Sequence, residues 1–141
     1  MTFASEAAIA TAVVTILAIL LYTWMGINVG RMRGKHGIKA PTMTGHPEFE
    51  RAVRVHMNTL EAFPVFLPLL WLSAAYFALW PWATPLLGLL WVVGRYLYMT
   101  GYMSDPAKRS LGFNVALVAE LGLLICTVIG LVQAWNAVTA V

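Results

Sequence analysis

Nine Lys or Arg and six Asp or Glu are all the charge this 141-residue chain carries. Set against 60% hydrophobic residues and a mean hydropathy of +0.77, that scarcity excludes a soluble domain of this size. Cysteine is almost missing too. Cys126 stands alone in the apolar run Leu123 to Val128, so one chain can build neither a disulfide nor a thiolate metal site, and the residue reads as a small core hydrophobe. There is no internal repeat, no low-complexity tract and no long linker. A basic segment ahead of the first apolar run is also lacking. With the length of that run, this argues for a retained span and against a cleaved signal peptide.

What the sequence does have is four apolar stretches, at about 7–33, 46–79, 82–104 and 107–136. Each can supply the roughly 20 residues a bilayer crossing needs. The expected fold is an all-α membrane protein, one domain over residues 1–141 built as a four-transmembrane-helix bundle. The second stretch is longer than required, so its first turns should project into the headgroup zone. Pro64 and Pro68 predict a kink within it. Residues 34–47, punctuated by Gly and Pro, form the only substantial loop.

Arg31, Arg33, Lys35, Lys39, Arg51 and Arg54 gather around the first connection, and Lys108 and Arg109 mark the third. The positive-inside rule puts both in the cytoplasm, at a bacterial inner membrane or an endoplasmic reticulum membrane, with the Trp80-Pro81-Trp82 turn on the other side. Topology thus accounts for the net charge of +3, and no nucleic-acid partner is expected.

Ions inside a membrane are expensive, so each one is a functional-site candidate by default. Arg51, Arg54, Asn58 and Glu61 are spaced 3, 4 and 3 and form one stripe on the second span; Arg95, Tyr98 and Tyr102 form another on the third. Two polar stripes at matching depth predict one cavity. His56 points to nearly the opposite face from Arg54 and Asn58, which predicts a homo-oligomeric closed ring with His56 turned toward a cavity shared with a neighbour. The plainer alternatives are that Glu61 merely pairs with Arg54 or Arg95 and that the tyrosines merely pack. Glu120 is expected either to compensate Arg95 or to sit protonated in a hydrogen bond. His36 and His46 are loop residues, and no His, Asp or Glu pair has ligand spacing on one face, so no metal is expected.

Arginines with an Asn, a Glu and two tyrosine hydroxyls suit a small, multiply anionic molecule that also carries an ammonium group. Glutathione matches that description as a co-substrate, with an apolar second substrate arriving from the lipid. The chemistry then needs only a lowered thiol pKa, which a nearby arginine provides by favouring the thiolate.

The run Gly45-His46-Pro47-Glu48-Phe49-Glu50-Arg51, followed by R-V-H-M-N-T-L-E-A-F-P-V-F from Arg54 to Phe66, resembles the signature of the MAPEG family, the membrane-associated proteins in eicosanoid and glutathione metabolism. The stretch G-R-Y-L-Y-M-T-G-Y-M-S-D-P-A-K-R-S, from Gly94 to Ser110, is similar to that family's passage from the third span to the fourth. The likeness covers most of residues 20–125 and is strongest to the type-3 microsomal glutathione S-transferases.

The resemblance implies a homotrimer with glutathione bound between neighbours near the cytosolic side. By residue-to-residue matching it implies glutathione contacts from Arg33, Arg54, His56, Asn58, Glu61, Tyr98 and Tyr102, and a catalytic, thiolate-stabilising role for Arg109. Arg51 stays outside the first rank, as structural or touching a neighbouring site. The implied activity is a glutathione transferase acting on lipophilic electrophiles, with lipid-hydroperoxide peroxidase or eicosanoid- and prostaglandin-synthase-like activity as further family chemistry. Ala62 follows Glu61 where the leukotriene-forming synthase has a tyrosine, so leukotriene synthesis is not implied. Two readings from other classes stand beside this one. A non-catalytic lipid-binding scaffold sits poorly with Arg109 and the full R-x-H-x-N-x-x-E run, and a small multidrug transporter sits poorly with Glu6 at the very start of the first span.

Overall fold

The computed structural model describes residues 5–140. Four long helices dominate it: α1 (Glu6–Lys35), α2 (Pro47–Tyr76), α3 (Ala83–Ser104) and α4 (Ser110–Thr139), with a 3-10 turn, Pro106–Arg109, between the last two. No strand occurs among the described residues.

The helix ends follow from local chemistry. Ser5 accepts the Ala8 N–H at 3.2 Å and Glu6 sits in the positive first turn of α1. Past the C-cap His36, Gly37 turns the chain with a φ of +64°, which suits a residue without a Cβ. The Ile38 N–H donates to the Arg33 carbonyl at 3.0 Å and the Gly37 N–H to that of Gly34 at 3.3 Å, a Schellman closure. The ring of His46 caps α2 by accepting the Glu48 N–H at 3.2 Å, and Pro47 fills the first helical position.

Two span boundaries shift. α2 runs through Pro64 and Pro68 as one helix, each proline removing a donor from the carbonyl four residues earlier, Leu60 and Pro64. It stops at Tyr76 and not near 79, because the chain already turns toward Trp80-Pro81-Trp82. α4 starts at Ser110 and not 107: Asp105 accepts the Ala107 N–H at 3.0 Å and Pro106 opens the 3-10 turn. Three helical stretches are long and apolar enough to cross a membrane, α1, α2 and Pro106–Thr139. α3 is long enough, at 22 residues, but Arg95 and its tyrosines dilute its apolar character. Like α2, it packs against all three other helices.

Phe66 of α2 and Trp91 of α3 stack at 3.8 Å in the centre, both fully buried, with Leu70, Ala119 and Leu123 around them. Between helices in lipid, close packing rather than escape from water supplies the attraction, and small residues permit it. α3 and α4 cross on two such residues: Gly94 faces the Ala116 backbone and Gly112 faces the Tyr98 backbone. A methyl group on Gly94 would fall 2.6 Å from the Ala116 nitrogen. This crossing fixes Arg95 and Tyr98, and with them the floor of the polar region.

Candidate active site

Toward the α1–α2 loop the bundle changes character. The stripe spacing on α2 and α3 brings Asn58 of one helix to Tyr98 of the other, while Arg54 and Glu61 stay exposed. Asn58 donates from its amide nitrogen to the Tyr98 hydroxyl at 2.6 Å, and Tyr98 is only 3% exposed. Tyr98 leans on Tyr102 at 5.6 Å between ring centres, and the Arg109 guanidinium lies 5.9 Å from the Tyr102 ring. Below them Arg95, buried, sits 5.3 Å from the Trp91 ring and 5.4 Å from that of Tyr98. Cations over aromatic faces are favoured electrostatically, the more so when desolvated. The result is a ladder, Trp91, Arg95, Tyr98, Tyr102, Arg109, climbing from the core to the loop end.

Beside the ladder a cavity of about 280 Å³ opens between Pro47, Glu50, Arg51, Arg54, Tyr102 and Pro106. A second, of about 270 Å³, lies across Glu50 and Arg54 and is walled by Met43, Thr44, Val53 and Met57. The Nε of Arg51 is buried with no hydrogen-bond partner, as is that of Arg95. A buried unpaired donor on a charged group is costly, so Arg51 and Arg95 each keep a hydrogen-bonding capacity that the chain itself leaves unused. On the outer side of the 3-10 turn, Arg109, Ser110, Phe113 and Asn114 border a hollow of about 510 Å³. Arg109 thus lies over the Tyr102 ring that walls the first cavity and also lines this hollow, whose border is mostly polar with Phe113 as its apolar member.

Not every expected residue joins this group. Arg33 is taken up by the loop: its guanidinium donates to the carbonyls of Thr42 at 2.8 Å and Ile38 at 3.4 Å and covers the Phe49 ring at 4.8 Å. His56 turns away from Arg54 and Asn58 as expected, and within the chain it meets the first helix. It stacks on Tyr22 of α1 at 4.5 Å, lying over Gly26, because α1 crosses α2 at that level. Glu61 forms no ion pair among the described residues, with Arg54, Arg95 or any other, since α2 presents it outward. Glu120 does not pair with Arg95 either; it accepts the Trp91 indole N–H at 2.7 Å.

Arg51 belongs on the cavity wall after all, with Pro47, Glu50 and Pro106 beside it. Its place three residues before Arg54 on the same stripe was the available signal. The geometric ground for expecting no metal also fails. The Schellman closure folds the loop back so that His36 and His46 stack at 3.6 Å and Glu48 reaches both His36 Nε2, at 2.9 Å, and Lys35 Nζ, at 2.7 Å. Spacing along one helix face could not reveal a cluster made by two helix ends.

Known proteins agree with this architecture. The family model described as the MAPEG family matches residues 11–129. The chain is 39% identical to human microsomal glutathione S-transferase 2 over 106 residues, 75% of this chain and 71% of the relative. It is 39% identical over 98 residues to guinea-pig (Cavia porcellus) leukotriene C4 synthase, covering 70% and 64% of the two chains. An uncharacterized protein of Synechocystis sp. is 43% identical over 114 residues, 81% of this chain and 82% of that one.

Proposed function

Because the chain belongs to the MAPEG family, we propose that it is a membrane-embedded glutathione transferase that joins glutathione to lipophilic electrophiles. The observation that carries this reading is the cavity walled by Arg51, Arg54 and Tyr102, with Arg109 over the Tyr102 ring at its edge. Two guanidinium forks at one mouth suit a peptide with two carboxylates. Asn58, locked to Tyr98, offers its carbonyl oxygen to a donor.

Arg54 and Glu61 are exposed on the outer face of α2, where lipid would otherwise meet them. A charge facing hydrocarbon is unfavourable, so a second copy covers this face, and a closed ring of three such copies completes the site with Glu61 toward the glutathione amine. In that ring Arg33, in the last turn of α1, and His56 of α2, where it stacks on Tyr22 of α1, border the tripeptide. The basic connections face the cytoplasm, the source of glutathione.

Arg109 acts on the sulfur. Its positive charge favours thiolate over thiol, so the S–H proton passes to water and the sulfur attacks the electrophilic carbon. A C–S bond forms, and the leaving group departs with the bonding pair or, in an epoxide, the ring oxygen takes a proton. With a lipid hydroperoxide the thiolate takes the terminal oxygen, and a second glutathione releases the disulfide, leaving the lipid alcohol and water.

Ultraviolet titration of the thiolate in the purified oligomer tests the mechanism. Bound glutathione should ionise well below its free pKa, and Arg109→Ala should return it to near the free value while glutathione still binds. An unshifted thiol in the parent protein would sink the proposal.

A further inference from the structure

We propose that His36, His46 and Glu48 form a binding site for a divalent transition-metal ion of the zinc type, clamping the end of α1 to the start of α2. One ring nitrogen from each histidine and a Glu48 carboxylate oxygen lie within 4.8 Å of one another. Zinc bonds to imidazole nitrogen and carboxylate oxygen at about 2.0–2.2 Å, so the ligand atoms of a tetrahedral site stand about 3.4 Å apart. The His36 Nε2 to Glu48 contact, at 2.9 Å, is already inside that spacing. Rotation of the His46 side chain, which opens the 3.6 Å ring stack, supplies the third. A fourth position is left for water.

The donor set selects the ion. Two imidazoles and one carboxylate suit zinc, copper or nickel, whereas calcium and magnesium call for a shell of oxygens that one carboxylate cannot provide. Position argues in the same direction. His36 is the C-cap of α1, His46 the N-cap of α2, and Glu48 lies in the first turn of α2, so one ion ties two helix ends across the loop between them. That loop carries Thr42 and Met43, which Arg33 holds, and Gly45, whose N–H donates to Glu50 at 3.0 Å on the cavity wall. Metal binding here stiffens the rim of the cavity, and the inference stands whether or not that cavity takes glutathione.

One cation is already present at the site. Lys35 Nζ lies 2.7 Å from the same Glu48 oxygen on a side chain that is 55% exposed, so an incoming metal competes with a mobile ammonium group. Lys35→Ala should therefore tighten metal binding, an effect opposite in sign to any loss of structure.

Calorimetric titration of the full-length, tag-free protein in detergent with zinc chloride, without glutathione, is the test. One zinc ion per chain is expected. His46→Ala and Glu48→Gln should each weaken binding at least tenfold, and Lys35→Ala should strengthen it. Trypsin cleavage after Lys39 gives an independent reading: zinc should slow it in the parent and not in Glu48→Gln. Absence of zinc binding, or binding indifferent to His46→Ala and Glu48→Gln, would overturn the site. So would weaker binding in Lys35→Ala.

Discussion

The two ends of the bundle solve the same problem in opposite ways. Near the Trp80-Pro81-Trp82 turn the buried polar groups satisfy one another: the Ser73 and Thr84 hydroxyls share a 2.7 Å hydrogen bond, and Thr127 donates to the Leu123 carbonyl at 2.8 Å. Toward the α1–α2 loop the polar groups are larger, charged and left partly unmatched. Arg51 and Arg95 each keep a buried Nε without a partner, and Glu61 faces outward. Since an unmade hydrogen bond costs more than a made one contributes, the second pattern persists only where something else completes it. The closed end is satisfied within the chain; the open end is left to be completed from outside it, which is the contrast the proposed function rests on.

The sharpest way to break this contrast is Arg109→Ala. If the open end acts on a thiolate, kcat for a lipophilic electrophile should fall about 100- to 1000-fold, the loss expected when a preorganised charge-stabilising group is removed. A kcat within a factor of two of the parent would remove Arg109 from the chemistry. Arg54→Ala comes next. A charged hydrogen bond contributes about 1.5–3 kcal/mol, so the KM for glutathione should rise roughly 10- to 100-fold with a smaller change in kcat. Steady-state kinetics with glutathione varied separates the two, and a fall in kcat at constant KM would move Arg54 from grip to chemistry.

How much of this was legible depended on whether a feature is local. The 3, 4, 3 spacing of Arg51, Arg54, Asn58 and Glu61 is a property of one helix, and it correctly turned Asn58 toward Tyr98. The four helices, too, could be read from apolar length. What lay across elements could not. That His56 rests on Tyr22 depends on where α1 crosses α2, and that Glu120 meets Trp91 depends on the glycine-lined approach of α3 and α4. The His36, His46 and Glu48 cluster needs the loop reversal at Gly37, so its members look like scattered loop residues in the sequence. Arg33 carries both lessons: its basic position at the end of α1 was visible, but its hold on the Thr42 carbonyl was not.

The smallest expected effect tests the closed end. Ser73→Ala leaves the Thr84 hydroxyl without its 2.7 Å partner at a site where both residues are buried. In water-soluble cores such an orphan costs about 1–3 kcal/mol, but hydrogen bonds between membrane helices average about 0.6 kcal/mol because the alternative state also finds partners. Thermal denaturation in detergent should therefore show a loss of about 1 kcal/mol or less, while KM for glutathione and kcat stay at parental values. The proposed site lies toward the other end of α2 and α3, separated from Ser73 by the Phe66–Trp91 stack. A change in KM as large as that of Arg54→Ala would mean that the two ends move together and that the division between a packed end and a receiving end is wrong.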